Sequence, residues 1–180
     1  IDTCKPEVAA AALEAGAHIV NDISGLRDPR MIEVCAGSEC GVVVMHMKGT
    51  PSTMQGLASY DDVVAEVREY FEERFETLTR AGIAPERLAF DPGIGFGKTL
   101  EHNLALIHGI SDYIVQQRPI LMGLSRKSFI GTLLGNQEIS RREAPTQALT
   151  ALTRMKGAMI HRVHQVHENL HVVRMLEAVL

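Results

Sequence analysis

A carboxylate, a glycine-rich loop and a lysine stand in series at Asp91-Pro-Gly-Ile-Gly-Phe-Gly-Lys98, directly after the apolar run Leu88-Ala89-Phe90. A second polar tip, Gly123-Leu-Ser-Arg-Lys127-Ser128, follows the apolar run Pro119-Ile-Leu-Met122. Such groups at the ends of buried strands are the materials of a small-molecule site, because ligands of parallel α/β proteins sit outside the carboxyl ends of the strands. The glycine loop is not a phosphate-binding P-loop. That motif needs four residues between its first glycine and Gly-Lys-Thr, whereas Gly93 and Gly97-Lys98-Thr99 enclose three and Pro92 occupies the glycine position.

The same pattern of apolar run and polar exit recurs along the chain. Ala17-His-Ile-Val20 ends in Asn21-Asp22, Gly41-Val-Val-Val44 runs to Met45-His46, and Ala158-Met-Ile160 leads to Arg162-Val-His164. Asp2-Thr3 reads as the exit of a further strand. These runs show little in–out alternation, as expected of parallel strands buried on both faces. Arg162 and His164 are two apart on a strand end, so both point to one side, where a guanidinium fork and an imidazole can bind phosphate.

The segments between carry helix punctuation. Pro6 opens the first helix and Gly16 stops it; Asp28-Pro29 caps the second. Residues 61–81 carry the longest helical pattern, with Val63, Val67, Phe71, Phe75 and Leu78 on one face. Helices are expected over 145–156 and 168–180, one begins at Ser128, and flexible connections are expected over 48–60 and 135–144. The count of exits (Asp2, Asn21, His46, Asp91, Ser125, His164) is six. A (β/α)₈ barrel has eight and about 250 residues, so the alternation reads as one domain, 1–180, forming an α/β TIM-type barrel without its N-terminal quarter. An open doubly wound sheet fits less well, because polar residues stand at every exit.

Composition narrows the function classes. A formal charge of −4 and a pI near 6.1 leave no electrostatic footprint for nucleic acid. No apolar stretch is long enough to span a bilayer. Three cysteines in irregular spacing fit a reducing, cytoplasmic setting, with Cys35 and Cys40 expected as ordinary thiols. His161, His164, His167 and His171 have metal-like spacing on a helix, but a strand followed by a helix would make them diverge.

The six tips in this order resemble the dihydropteroate synthase family, the pterin-binding enzymes of folate biosynthesis. The motifs are Ile1-Asp-Thr3, Gly16-Ala-His-Ile-Val-Asn-Asp-Ile23, Met45-His-Met-Lys-Gly-Thr-Pro51, the Asp91–Lys98 segment, Gly123-Leu-Ser-Arg-Lys-Ser128 and Arg162-Val-His164. The resemblance implies a (β/α)₈ barrel that condenses 6-hydroxymethyl-7,8-dihydropterin pyrophosphate with 4-aminobenzoate, releasing pyrophosphate. It implies that Asp2, Asn21 and Asp91 hold the pterin edge, that Lys127 reaches the ring, and that Met45 and Gly123 border it. It places Arg162 and His164 at the pyrophosphate, Ser125 and Ser128 at the aminobenzoate carboxylate, and Phe96 beside the aminobenzoate ring. Asp91, Lys127, Arg162 and His164 would carry the catalysis. Mg²⁺ is the implied cofactor, held through an asparagine on strands preceding this chain, and a homodimer is the implied assembly.

The sequence departs from the family pattern at Gln165, where an aspartate usually follows Arg-Val-His, and at Cys4. The 180 residues alone are expected to be inactive. Three other readings stay open: a methyltetrahydrofolate-binding methyltransferase domain, a Schiff-base aldolase using Lys127, and a fragment that binds pterin without turnover.

Overall fold

The computed structural model describes residues 1–135 and 138–180. Among these residues five strands, β1 (Ile19–Asp22), β2 (Gly41–Met45), β3 (Leu88–Asp91), β4 (Leu121–Met122) and β5 (Ile160–His161), alternate with helices. β1 pairs with β2, β2 with β3 and β4 with β5, all parallel. A bridge between Phe90 and Ile120 joins the two groups, and another between Asp2 and Asn21 adds a strand position ahead of β1. The spatial order thus follows the sequence, with six parallel positions side by side, matching the six expected exits.

The helices are α1 (Pro6–Glu14), α2 (Pro29–Ala36), α3 (Val63–Arg80), α4 (Leu100–His108), α5 (Ser128–Leu133), α6 (Glu143–Met155) and α7 (Val166–Val179). Their starts are chemically marked. The Asp28 side chain accepts from Arg30 N, Asp62 accepts from Val64 N and Ala65 N, and Thr99 and His102 form a reciprocal capping box. Among the described residues no helix is long and apolar enough to cross a membrane.

The sheet has two apolar faces of different character. Val20, Val42, Val44, Leu88, Phe90, Ile120 and Met122 join the main core beneath the helices, whereas Val43, Ala89 and Leu121 form a small separate cluster. Side chains alternate along a strand. The face that holds Val43, Ala89 and Leu121 is therefore continued at the strand ends by Met45, Asp91 and Gly123, and by Asn21, which stands in register with Val43. Burial of both faces hides this alternation in the sequence and brings the interior polar residues to one end.

Boundaries differ from the sequence expectation in instructive ways. β1 ends at Asp22 rather than Val20, because pairing continues through Asn21 with Val43 and Asp22 with Val44. α6 starts at Glu143 rather than Pro145, preceded by a 3₁₀ turn at Ile139–Arg142. That turn replaces much of the flexible connection expected over 135–144, in which Asn136 and Gln137 lie outside the described residues. The 48–60 connection is likewise built, with a 3₁₀ turn at Met54–Leu57.

Candidate active site

The strand ends converge on one guanidinium. Arg162 Nη1 donates to Asn21 Oδ1 at 3.0 Å and Nη2 donates to Asp91 Oδ2 at 2.9 Å, linking the ends of β1, β3 and β5. Asp91 is 1% exposed and its other oxygen accepts from Gly93 N at 2.8 Å. Gly123 makes room for the fork: a Cβ there would stand 2.5 Å from Arg162 Nη2. Asn21 Nδ2 is buried without a partner among the described residues. An unpaired buried donor costs about 1–3 kcal/mol, so this amide is ready for an acceptor.

The glycine loop is packed between strand ends by two lysines. Lys127 lies with Nζ 4.1 Å from the centre of the Phe96 ring, a cation–π contact. Burial lowers its pKa, while Asp91 pulls it up and Arg162 pushes it down. Lys98 is buried below the loop, donating to the Phe96 carbonyl at 3.1 Å and standing 3.1 Å from His46 Nδ1. Burial brings Lys98 down to about 7 against the pull of Asp91. The same burial, with Lys98 next in importance, takes His46 down to about 2. Gly93 holds φ +68 with the His46 carbonyl 2.1 Å from where a Cβ would be, which excludes a side chain at that turn.

A cavity of about 290 Å³ opens in front of this cluster. Asp2, Phe96, Gly123, Ser125, Lys127, Arg162 and His164 line it, with Ile23 and Val163. Asn21 and Asp91 are behind Arg162 rather than in the lining, joined to the cavity through its fork. Ser125 Oγ stands 2.8 Å from His164 Nδ1. Two further expected residues are also outside the lining and have no such link to it. Met45 is fully buried at the end of β2, in register with Asp91, and Ser128 is exposed at the start of α5.

A larger cleft, about 850 Å³, lies beside the exit of β2, lined by residues including Arg27, Lys48, Glu66 and Tyr70. Its cations are engaged: Lys48 pairs with Glu66 at 2.6 Å, and Arg27 donates to the carbonyls of Met47 and Gly49. The smaller cavity is where the strand-end chemistry meets.

Two details of the site are beyond the reach of sequence reading. Asp22, adjacent to Asn21, points to the other face. It is fully buried and accepts from Ser24 N, Ser24 Oγ and Leu26 N at 2.7–3.0 Å, so it builds the loop instead of facing ligand. Lys98 and His46 share a buried contact that the sequence does not announce: both stand at polar strand exits, but nothing in their spacing pairs them. The histidine run diverges as expected: His161 meets Thr153 Oγ1 on α6 at 2.9 Å, while His167 and His171 are on α7. Among the described residues no group of three or more His, Cys, Asp or Glu could hold a metal ion. Cys35 and Cys40 are free and buried near the start of β2, at the opposite end of that strand from the cavity.

The comparisons fit this geometry. The family model described as pterin binding enzyme matches residues 1–164. The dihydropteroate synthase of Escherichia coli (strain K12) is 45% identical over 180 residues, covering all of this chain and 64% of the relative. The chain thus spans just under two thirds of that curated relative. Among solved structures, dihydropteroate synthase from Thermus thermophilus in complex with 6HMPPP aligns with a TM-score of 0.94 at 43% identity, covering 99% of this chain and 70% of that one. The Xanthomonas albilineans enzyme with 4-aminobenzoic acid aligns with a TM-score of 0.92 at 39% identity, covering 99% and 63%. The likeness extends to the barrel-type α/β fold as well as the sequence.

Proposed function

The chain belongs to the pterin-binding enzyme family, and from that premise we propose that it carries the pterin and aminobenzoate chemistry of a dihydropteroate synthase. The reaction joins 6-hydroxymethyl-7,8-dihydropterin pyrophosphate to 4-aminobenzoate and releases pyrophosphate. The observation that carries this reading is the unpaired Asn21 Nδ2 next to the buried Asp91 carboxylate, both behind the cavity. A flat heterocycle with an amide, a ring nitrogen and an exocyclic amine presents the donors and acceptors these two groups need.

In this reading the Arg162 fork gives up its bonds to Asn21 and Asp91 as the pterin edge takes them. The released guanidinium then turns to the anionic leaving group. With His164 it stabilises negative charge developing on pyrophosphate, while Asp91 and Asp2 stabilise the electron-poor ring. Lys127, kept partly desolvated over Phe96, approaches the ring from the opposite exit. The reacting methylene needs no protein nucleophile: the carbon–oxygen bond to pyrophosphate breaks, the arylamine forms the new carbon–nitrogen bond, and its released N–H proton passes to the departing pyrophosphate or to water.

Mg²⁺ enters the proposal as a companion of the pyrophosphate. In the cavity the described side chains offer it one carboxylate, Asp2, beside two cations. They do not form a cation site by themselves, and no step here is routed through one. The reading also includes a homodimer, for which exposed Met175 and Val179 on α7 are the support, and a cytoplasmic setting, for which the three free cysteines are the support.

The test is calorimetric titration of the chain with the pterin pyrophosphate, then with 4-aminobenzoate and a sulfonamide in competition. Binding of the pterin, lost in Asp91→Ala, followed by competition between the two arylamines, is the expected result. Failure of the pterin to bind would remove the proposal. Pterin binding without arylamine competition would favour a pterin-binding fragment or a methyltransferase domain.

A further inference from the structure

Ser125 and His164 make a two-way contact at the cavity rim. The Ser125 hydroxyl, on a residue 6% exposed, accepts the backbone N–H of His164 at 3.3 Å and stands 2.8 Å from Nδ1 of the same residue. No other partner bonds that hydroxyl among the described residues. A hydroxyl has one hydrogen to give, and among the described residues Nδ1 is the one atom it contacts that is able to take it. In the neutral ring an accepting Nδ1 leaves the proton on Nε2. No carboxylate is bonded to His164 among the described residues. Its neighbour Gln165 carries a neutral amide, and the Gln165 backbone carbonyl accepts from Asn169 Nδ2 at 2.8 Å. Ser125 is therefore the side chain that sets the orientation of an otherwise exposed ring.

We propose that Ser125 is a positioning residue that fixes His164 as an Nε2–H donor for a phosphate-type anion in the cavity. Lys127 and Arg162 line the same cavity and give it the matching positive charge. The identity of the anion rests on the pyrophosphate reading above; the Ser125–His164 geometry does not.

The experiment is nitrogen NMR of the histidine-labelled chain in alkaline solution, where an imidazole is neutral. Wild type, Ser125→Ala and Ser125→Thr are compared, with His167 and His171 on α7 as internal references. Wild type and Ser125→Thr should show His164 protonated at Nε2, and Ser125→Ala should show a mixture of tautomers. Titration with inorganic pyrophosphate should move the His164 signals, with affinity about 5- to 10-fold lower in Ser125→Ala, the worth of one oriented hydrogen bond. In a His164→Ala background, Ser125→Ala should cost nothing further, because the serine acts through the ring.

A wild-type ring protonated at Nδ1, a tautomer unchanged by Ser125→Ala, or an undiminished serine effect without His164 would each overturn the positioning role. Correct tautomers with no response to pyrophosphate would overturn the anion assignment, and with it the pyrophosphate half of the proposed function.

Discussion

Lys98 Nζ lies 3.1 Å from His46 Nδ1, and this buried pair ties the glycine loop after β3 to the exit of β2. Burial lowers the proton affinity of both groups, and the charge of Lys98 lowers that of His46 further. The loop that carries Phe96 is thus held from below by a lysine that also donates to the Phe96 carbonyl.

This pair predicts how stability varies with pH. The folded pKa of Lys98 is about 7 against an ordinary 10.5, so between those values the unfolded chain binds a proton that the folded chain releases. Stability contributed by Lys98 therefore rises as pH increases from about 7 to 10.5. His46 acts in a lower window: as pH falls from 6.5 towards 2, the unfolded chain gains a proton the folded one refuses, and stability drops. Urea unfolding across pH should show Lys98→Met losing the upper rise, on the order of a few kcal/mol, while the acid-side loss persists. Parallel curves for wild type and variant above neutrality would mean that folding does not weaken the hold of Lys98 on its proton.

The Arg162 fork supports a prediction about stability. Arg162→Met leaves Asp91 as a carboxylate 1% exposed with one remaining partner among the described residues, Gly93 N. Because the arginine side chain is itself 39% exposed, the loss is screened and should be about 1–3 kcal/mol. Asp91→Asn in the same chain should restore part of it, since a neutral amide is less costly to leave unpaired. Denaturant midpoints of the two single variants and the double variant check this; simple additivity would mean the two groups are energetically independent.

Much of this site is legible in the sequence, for a definite reason. Asp91, Lys127 and Arg162 each follow a short apolar run, and glycine punctuation makes the exits visible one by one. The rest depends on parity and distance. Asn21 and Asp22 are adjacent and equally polar, and only the register with Val43 and Val44 sends them to opposite faces. Lys98 becomes buried because residues from the end of β2 close over it, a contact 52 positions away in the chain. Met45 and Ser128 are site residues by resemblance, and the cavity lining reaches neither. The last helices are recognisable from sequence, but their starts are not. The α6 start follows a 3₁₀ turn whose last residue, Arg142, is buried and donates to the Arg126 carbonyl at 3.1 Å.

Gly123 lacks a side chain because Arg162 occupies its space. A Cβ at Gly123 would meet Nη2 at 2.5 Å and Cζ at 3.1 Å, both on the far end of a flexible side chain. Gly123→Ala should therefore move the guanidinium off Asp91 with little change in fold, costing about 1–3 kcal/mol, as does loss of the same bond in Arg162→Met. Pyrophosphate affinity should nonetheless fall about tenfold, the equivalent of one charge-assisted hydrogen bond. Titration of the variant beside its unfolding curve separates the two effects; unchanged affinity would mean that the guanidinium reaches the anion without using the space beside Gly123.

Two aspartates at neighbouring strand exits should respond in opposite ways. Asp22 is fully buried and accepts three bonds from Ser24 and Leu26, and it shapes the turn in which Leu26 holds φ 55. Asp22→Ala removes those acceptors and leaves buried N–H groups unpaired, so it should destabilise the chain by about 2–4 kcal/mol. Asp2 is exposed, lines the cavity, and is joined to β1 through backbone: Thr3 N donates to the Asn21 carbonyl at 3.0 Å. Asp2→Ala should change stability by less than about 0.5 kcal/mol while weakening pterin binding. Thermal denaturation and pterin titration of both variants decide the matter. A large stability loss in Asp2→Ala with unchanged binding would assign that carboxylate to the fold rather than to the ligand.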